Sequence, residues 1–279
     1  MPPFFTIITS TYNAAATLPR LLDSLASQTC RDFNWIVQDG ASSDATMQIV
    51  EQYRDRLPEI LADSSKDNGI YDAWNKAIDR WQEKMGEWIL FLGCDDSLNG
   101  KDTLEIVKKH IDKSPNHKIF FAGNMIQINS LGEKISKYAI KSTNDAFKRK
   151  SYRMPVNHPA LFTKKEIIVR HKFDASFKIS GDYEFIRRVW LEPDQMQLLG
   201  FVTTRMQIGG ISGNESSRKL HIAENLRIFN KYGTVKGYIW YIDSLLYNVK
   251  IKIKNILEKH KYGNKFWEIL KKIRKHTLK

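Results

Sequence analysis

The 279-residue chain reads as an α/β protein: an open, mostly parallel sheet with flanking helices, followed by a basic amphipathic helical extension. Three observations carry this. Over the first hundred residues, short apolar runs alternate with segments whose apolar residues recur at helical spacing. Each apolar run in that half ends in a polar, turn-rich cluster. The charge is also segregated: residues 218–279 hold 16 Lys and Arg against 4 Asp and Glu, a net of +12, which leaves residues 1–217 at +1.

The elements follow in order. Residues 4–9 are apolar and β-branched, hence a strand, and 17–28 carry Leu18, Leu21, Leu22 and Leu25 on one helical face. Residues 35–38 give a second strand, and 44–56 a helix with Met47, Ile49, Val50 and Tyr53. Residues 60–62 are a weaker third strand, and 70–81 a helix with Trp74, Ala77, Ile78 and Trp81 inward. Residues 88–92 are apolar on both faces, as an interior parallel strand is. Further on, 102–113 and 179–191 read as helices, and 118–128, 133–140 and 198–208 as strands. A break is expected at 213–219, dividing a body, 1–217, from the extension, 218–279.

Composition narrows the class. Hydrophobic content of 42% with 11% aromatics supports a packed core and excludes a disordered chain. Cys30 and Cys94 form neither a disulfide framework nor a metal-type spacing, so a reducing compartment is expected. The start lacks a signal-peptide pattern, and no uncharged apolar run reaches bilayer length; the sequence reading is therefore a cytoplasmic protein.

The four strand ends carry Ser10-Thr11-Tyr12-Asn13, the 39–44 stretch from Asp39 to Asp44, Lys66-Asp67-Asn68-Gly69, and Cys94-Asp95-Asp96. In an open α/β sheet all four share one edge, where ligands bind. Asp44 and Asn68 suit helix caps. An adjacent acid pair, further acids and an aromatic together suit a nucleotide with a divalent cation, since a hard cation takes carboxylate and phosphate oxygens.

The stretches TSTYN (9–13), DGASSDAT (39–46), DNGIYDAWNKAI (67–78), GEWILFLGCDD (86–96), NHPALF (157–162), FDASFKISGDYEF (173–185) and GGIS (209–212) stand in an order that resembles family 2 glycosyltransferases of the GT-A fold, of the type that builds bacterial surface polysaccharides. The resemblance implies a nucleotide-sugar site formed by Thr9, Tyr12, Asn13, Asp39, Asp67 and Asp95. Tyr12 would lie against the base, and Asp39 would accept from a uracil N–H. Asp96, with Asp95, would hold Mn2+ or Mg2+; Cys94 departs from the acid found at the first position of the family's Asp-any-Asp motif. Asp182 would be the catalytic base of an inverting, metal-dependent transfer from a UDP-sugar. Its other reading is a helix N-terminal acid favoured by the dipole. His158 reads either as an acceptor contact or as a buried turn residue, and Ser212, Arg218 and His221 as a loop over the diphosphate. The resemblance also divides the body into a nucleotide-binding half (1–100) and an acceptor half (101–217), and implies a saccharide acceptor carried on polyprenyl diphosphate, as in O-antigen and lipopolysaccharide synthesis. Cys94 keeps open a non-catalytic nucleotide-sugar-binding scaffold on the same fold.

In the extension, Leu245, Leu246, Val249, Ile253, Ile256 and Leu257 recur at helical spacing among lysines, and Phe266, Trp267, Ile269, Leu270 and Ile273 do so again. Cationic amphipathic helices with Trp and Phe suit an anionic membrane surface, met through 236–279, better than nucleic acid. This puts the protein peripherally on the inner face of the cell membrane.

Overall fold

The structure is a computed structural model describing residues 1–209 and 215–246, except 234, 240 and 243. All of GGIS after Gly209, Ser212 included, and the helices expected beyond residue 246 lie outside the described residues.

Strands β1 (Phe5–Thr11), β2 (Phe33–Asp39), β3 (Ile60–Ser64) and β4 (Trp88–Phe91) run parallel in the spatial order β3-β2-β1-β4. Parallel neighbours need crossovers. These are supplied by α1 (Leu18–Ala26), α2 (Thr46–Gln52) and α3 (Ile70–Trp81). Successive side chains in a strand point to opposite faces, and the core follows that period. Ile7, Trp35 and Leu90 join one buried cluster with the leucines of α1, while Ile8, Ile36 and Phe91 join another with Trp74, Ala77 and Ile78 of α3. Each large side chain fully buried this way contributes about 1.5–3 kcal/mol.

The second half is mixed. It contains β5 (Ser97–Leu98), α4 (Thr103–Asp112), β6 (Phe120–Ile128), β7 (Lys134–Tyr138), α5 (Thr143–Arg149), β8 (Leu161–Lys164), α6 (Lys165–His171), α7 (Gly181–Val189), β9 (Met196–Gln207) and α8 (Glu215–Tyr232). The sheet continues β4-β8-β6-β9-β5, with β7 beside β6. β8 is antiparallel to both β4 and β6. It lies within a stretch whose sequence shows a motif but no period, because four residues are too few to display one.

The body–extension boundary drawn from charge at 217/218 falls inside α8. Ile228 and Phe229 of that helix are fully buried in the cluster containing Trp74 and Phe91. Its four Lys and Arg outnumber its two Glu, which drew the charge boundary here, but its packing belongs to the body.

Candidate active site

Register levels the strand ends. Thr11 pairs with Asp39, and Asp39 with Ser64. The Asp39 carboxylate is fully buried and has four donors: Thr11 Oγ1 at 2.8 Å, Ser42 N at 2.8 Å, Ser42 Oγ at 2.5 Å and Ser64 Oγ at 2.7 Å. Burial pushes it up, but these bonds outweigh burial and hold it below the ordinary carboxylate value. They also fasten the following turn, where Ala41 sits at φ 61, a conformation costing an alanine about 1–2 kcal/mol. Asn13 locks the same turn from the first strand end: its N–H donates to Ser42 Oγ, and its Oδ1 accepts from Ser43 N.

Gly40 stands at the centre of this edge. A Cβ there would lie 2.8 Å from Asp67 Oδ2 and 3.4 Å from a Tyr12 ring carbon. Only glycine lets the two come this close. Tyr12 is 69% exposed, and Asp67 Oδ1 accepts from Gly69 N at 2.8 Å, shaping the turn into α3. Neither residue expected to cap a helix does so: Asp44 accepts from the Thr46 N–H but stands one residue before the N-cap of α2, Ala45, and Asn68 precedes Gly69, the N-cap of α3, its own N–H donating to Asp72.

The acid pair follows β4. Asp96 is buried, with Gly93 N donating to its Oδ2 at 3.1 Å and a further bond from the Gln207 N–H. Burial, and then the charge of Asp95, push it up to about 8. Asp95 is half-buried and is raised by burial, with the Arg20 guanidinium pulling it back. Arg20 is held near the pair through Gln207 Oε1 and the Ser130 carbonyl. Two carboxylates this desolvated fit a hard divalent cation, which needs one or two carboxylates when substrate phosphates complete its shell. Burial pushes the Cys94 thiol up to about 11, so it stays neutral and does not join such a set. Among the described residues no cluster of three or more His, Cys, Asp or Glu offers a complete metal site.

Asp182 begins α7. The Tyr71 hydroxyl lies 3.1 Å from its Oδ1 and 2.6 Å from the Ile179 carbonyl. Gly181 is there because a Cβ would meet the Tyr71 ring at 2.7 Å. The preceding loop reaches back to the nucleotide edge through Lys178, whose ammonium donates to the Asn68 carbonyl. His158 lies flat against Trp74, 5.2 Å between centroids, and Phe91, 5.5 Å. Burial lowers its pKa, and the nearby Asp182 charge acts in the opposite direction.

The sequence matches the family described as "Glycosyl transferase family 2" over residues 6–170. A Mycobacterium bovis protein named "PGL/p-HBAD biosynthesis glycosyltransferase" is 32% identical over 222 residues, covering 76% of this chain and 77% of that one. The chain belongs to glycosyl transferase family 2. This glycosyltransferase also matches the Borreliella burgdorferi cholesterol galactosyltransferase, 22% identical over 228 residues, 75% of this chain and 62% of that one. In fold it is similar to Staphylococcus aureus TarS, solved with UDP-GlcNAc: TM-score 0.64 at 22% identity, covering 82% of this chain and 67% of that chain. Mannosyltransferase PcManGT from Pyrobaculum calidifontis, solved with GDP-Man and Mn2+, gives 0.56 at 18% identity over 83% and 64%. The GT-A architecture expected from the sequence is the one observed.

Two residues of this glycosyltransferase do not sit where the motifs put them. Thr9, expected at the nucleotide, is fully buried, and its Oγ1 accepts from Trp35 Nε1 at 3.0 Å. It points into the core with Ile7, because the strand period carries both to one face. Arg218 is exposed on the first turns of α8, with no hydrogen bond to the acid pair. His221 lies where the Asp182 charge acts on it, although burial dominates and lowers its pKa. Sequence reasoning missed Gly40, Tyr71, Arg20 and Lys178 as site-builders. For Gly40 and Tyr71 the signal is present, since each lies beside a named acid or glycine in a motif. Lys178 likewise lies inside the quoted stretch 173–185, four residues before Asp182; for Arg20 there is no such signal.

Proposed function

We propose that this glycosyltransferase moves a sugar from a nucleotide-sugar, a UDP-sugar, to a saccharide hydroxyl with inversion at the anomeric carbon. One observation carries the reading: two sets of acids with different surroundings. The first lies at the strand ends, around Gly40 and at Asp95–Asp96; the second is Asp182, on a separate helix start. The donor class is supported by TarS, solved with UDP-GlcNAc and with UDP.

In this reading Tyr12 stacks on the base. Asp39 accepts from a uracil N–H once a hydroxyl of Ser42 or Ser64 turns away. Asn13 and Asp67 complete the nucleotide side, and Asp95 meets ribose or cation. Asp95 and Asp96 would hold Mn2+ or Mg2+, which when bound supplies positive charge to the departing diphosphate. Asp182 takes the proton of the acceptor hydroxyl. That oxygen bonds the anomeric carbon from the face opposite the donor bond, and the bond to phosphate breaks with its electron pair leaving on the nucleoside diphosphate. His158 contributes a neutral ring beside the acceptor, and Ser212 belongs to the stretch that would lie over the diphosphate.

The acceptor is a lipid-linked saccharide, with polyprenyl diphosphate as carrier, in surface-polysaccharide or O-antigen assembly on the cytoplasmic face of the membrane. Support comes from the cationic segment 236–279 and from Val235, Ile239, Ile242 and Leu246, all exposed just beyond α8. No helix of the described residues is long and apolar enough to cross a membrane.

Transfer is assayed with a nucleotide-sugar and Mn2+. Asp96→Ala is expected to abolish metal-dependent transfer. Asp182→Asn is expected to lose at least a hundredfold in kcat while binding UDP with near-normal affinity. Full activity in the first variant would sink the metal assignment, and loss of UDP binding in the second would sink the base assignment.

A further inference from the structure

Asp182 stands at the second position of α7, and the cap of that helix is unusual. Ser180 holds the N-cap position, yet its side chain makes no cap hydrogen bond and its Oγ is buried without a partner. The usual device for fixing a helix start, a hydroxyl accepting from its own first turn, is therefore not in use. A carboxylate from another helix holds the chain just ahead of α7 instead. Glu224, buried on α8, receives three consecutive backbone N–H groups: Lys178 N at 2.6 Å on Oε1, and Ile179 N at 3.0 Å and Ser180 N at 2.8 Å on Oε2. All three bonds are charge-assisted, the stronger class of hydrogen bond.

Asp182 Oδ1 accepts from the Tyr183 N–H of its own helix at 2.8 Å, and the 178–180 stretch meets the tyrosine that flanks it. The Ile179 carbonyl accepts from Tyr71, whose hydroxyl also lies 3.1 Å from Asp182. The Lys178 side chain reaches the Asn68 carbonyl at the nucleotide edge. Glu224 thus fixes the backbone on which the acid, its tyrosine neighbour and the link to the nucleotide turn all depend. It does so from the helix that follows the 210–214 segment.

We propose that Glu224 is a positioning residue for the transfer reaction: it sets the geometry of Asp182 through the backbone of residues 178–180 and touches no substrate. The inference rests on Asp182 being the base. Misplacing a reacting group by an ångström can cost on the order of a hundredfold in rate without changing what binds. Glu224 therefore acts on kcat, and donor affinity stays put.

The test compares Glu224→Gln, Glu224→Ala and Asp182→Asn for kcat, donor KM, UDP affinity and thermal midpoint. Glutamine keeps one carbonyl oxygen for Ile179 and Ser180 but opposes an N–H to that of Lys178. It is expected to lower kcat about tenfold, and alanine about a hundredfold, with UDP affinity within about twofold of wild type. A kcat within about twofold of wild type in a folded Glu224→Gln or Glu224→Ala protein overturns the proposal, as does a loss confined to donor KM or UDP affinity. If alanine does not fold, the glutamine variant decides alone. Asp182→Asn separates the two ideas: if it keeps turnover, the base assignment fails whatever Glu224 does; if it is inactive while both Glu224 variants run normally, only the positioning role fails.

Discussion

His158 shows how one side chain's surroundings set its chemistry. It is buried against the rings of Trp74 and Phe91, which also touch each other, and burial keeps its pKa below that of a free imidazole, with the Asp182 charge opposing. His221, near the same acid, is lowered for the same reason. An unfolded chain takes up these protons near pH 6.5, the folded chain only at lower pH. Between the two values the unfolded state binds more protons, so stability is lost as pH falls through that window. The thermal midpoint is expected to drop between about pH 7.5 and 5.5, by about 2–4 °C per kcal/mol of linked stability. His158→Phe, which keeps an aromatic ring in the stack, should flatten part of that slope; an identical slope in the variant would mean His158 does not carry it. Of the site at this scale, Asp39, Asp67 and Asp182 are legible because each sits in a local motif. Glu224 is not, since its three partners lie 44–46 residues away and nothing in its own neighbourhood marks them.

Helix α7 is held on its other side by Glu184, also fully buried. Its carboxylate meets Arg188 at 3.1 Å, Lys231 of α8 at 2.8 Å and the Tyr232 hydroxyl at 2.9 Å. Burial raises its pKa, but these partners outweigh burial and hold it low, so its contribution is present above about pH 4.5 and fades as pH falls through the lowered folded value. Glu184→Ala strips a buried charge from two cations and is expected to cost about 3 kcal/mol in urea unfolding. That is the low end for a buried pair, since Arg188 and Lys231 stay partly hydrated. Lys231→Met leaves Arg188 and Tyr232 in place and should cost about 1 kcal/mol or less. Equal losses in the two variants would refute the view that Glu184 is the hub. The contrast also explains what can be read from the sequence at the scale of elements. The parallel half is legible because its helices show their period over seven to twelve residues, and its strands, even the four-residue β4, are marked by the polar cluster that follows each. β5 and β8 are too short to show a period, and α8 hides its buried Ile222, Ile228 and Phe229 among charges whose partners lie on other elements.

For the whole molecule, charge and packing draw different boundaries, and the difference sharpens one expectation. Two of the basic groups on α8 are engaged with the body: Arg227 with Asp174 at 3.3 Å and Lys231 with Glu184. Residues 234–279 still hold 12 Lys and Arg against 3 Asp and Glu. Just where that surplus begins, Tyr241 packs against the core while Val235, Ile239, Ile242 and Leu246 are exposed. An apolar stripe leading into unbalanced cations matches an anionic bilayer in both hydrophobic and electrostatic character. The full chain is expected to co-sediment with phosphatidylglycerol-containing vesicles, weakly with phosphatidylcholine alone, and less as salt rises, because screening acts on exposed charges. Replacing Lys250, Lys252 and Lys254 together by Gln removes about 1 kcal/mol each near the surface, so partitioning should fall about a hundredfold. Ile239→Ser with Ile242→Ser should weaken binding to both vesicle types, since it removes the apolar share. Binding that ignores salt and the triple lysine change but vanishes with the two serines would leave a purely apolar contact. Binding abolished by duplex DNA at low ionic strength would point the cations at nucleic acid instead. Salt-dependent binding that needs both sets of residues would place the 178–182 loop and the strand-end acids within reach of a lipid-borne acceptor, because α8, which leads into the 235–246 stretch, holds that loop through Glu224.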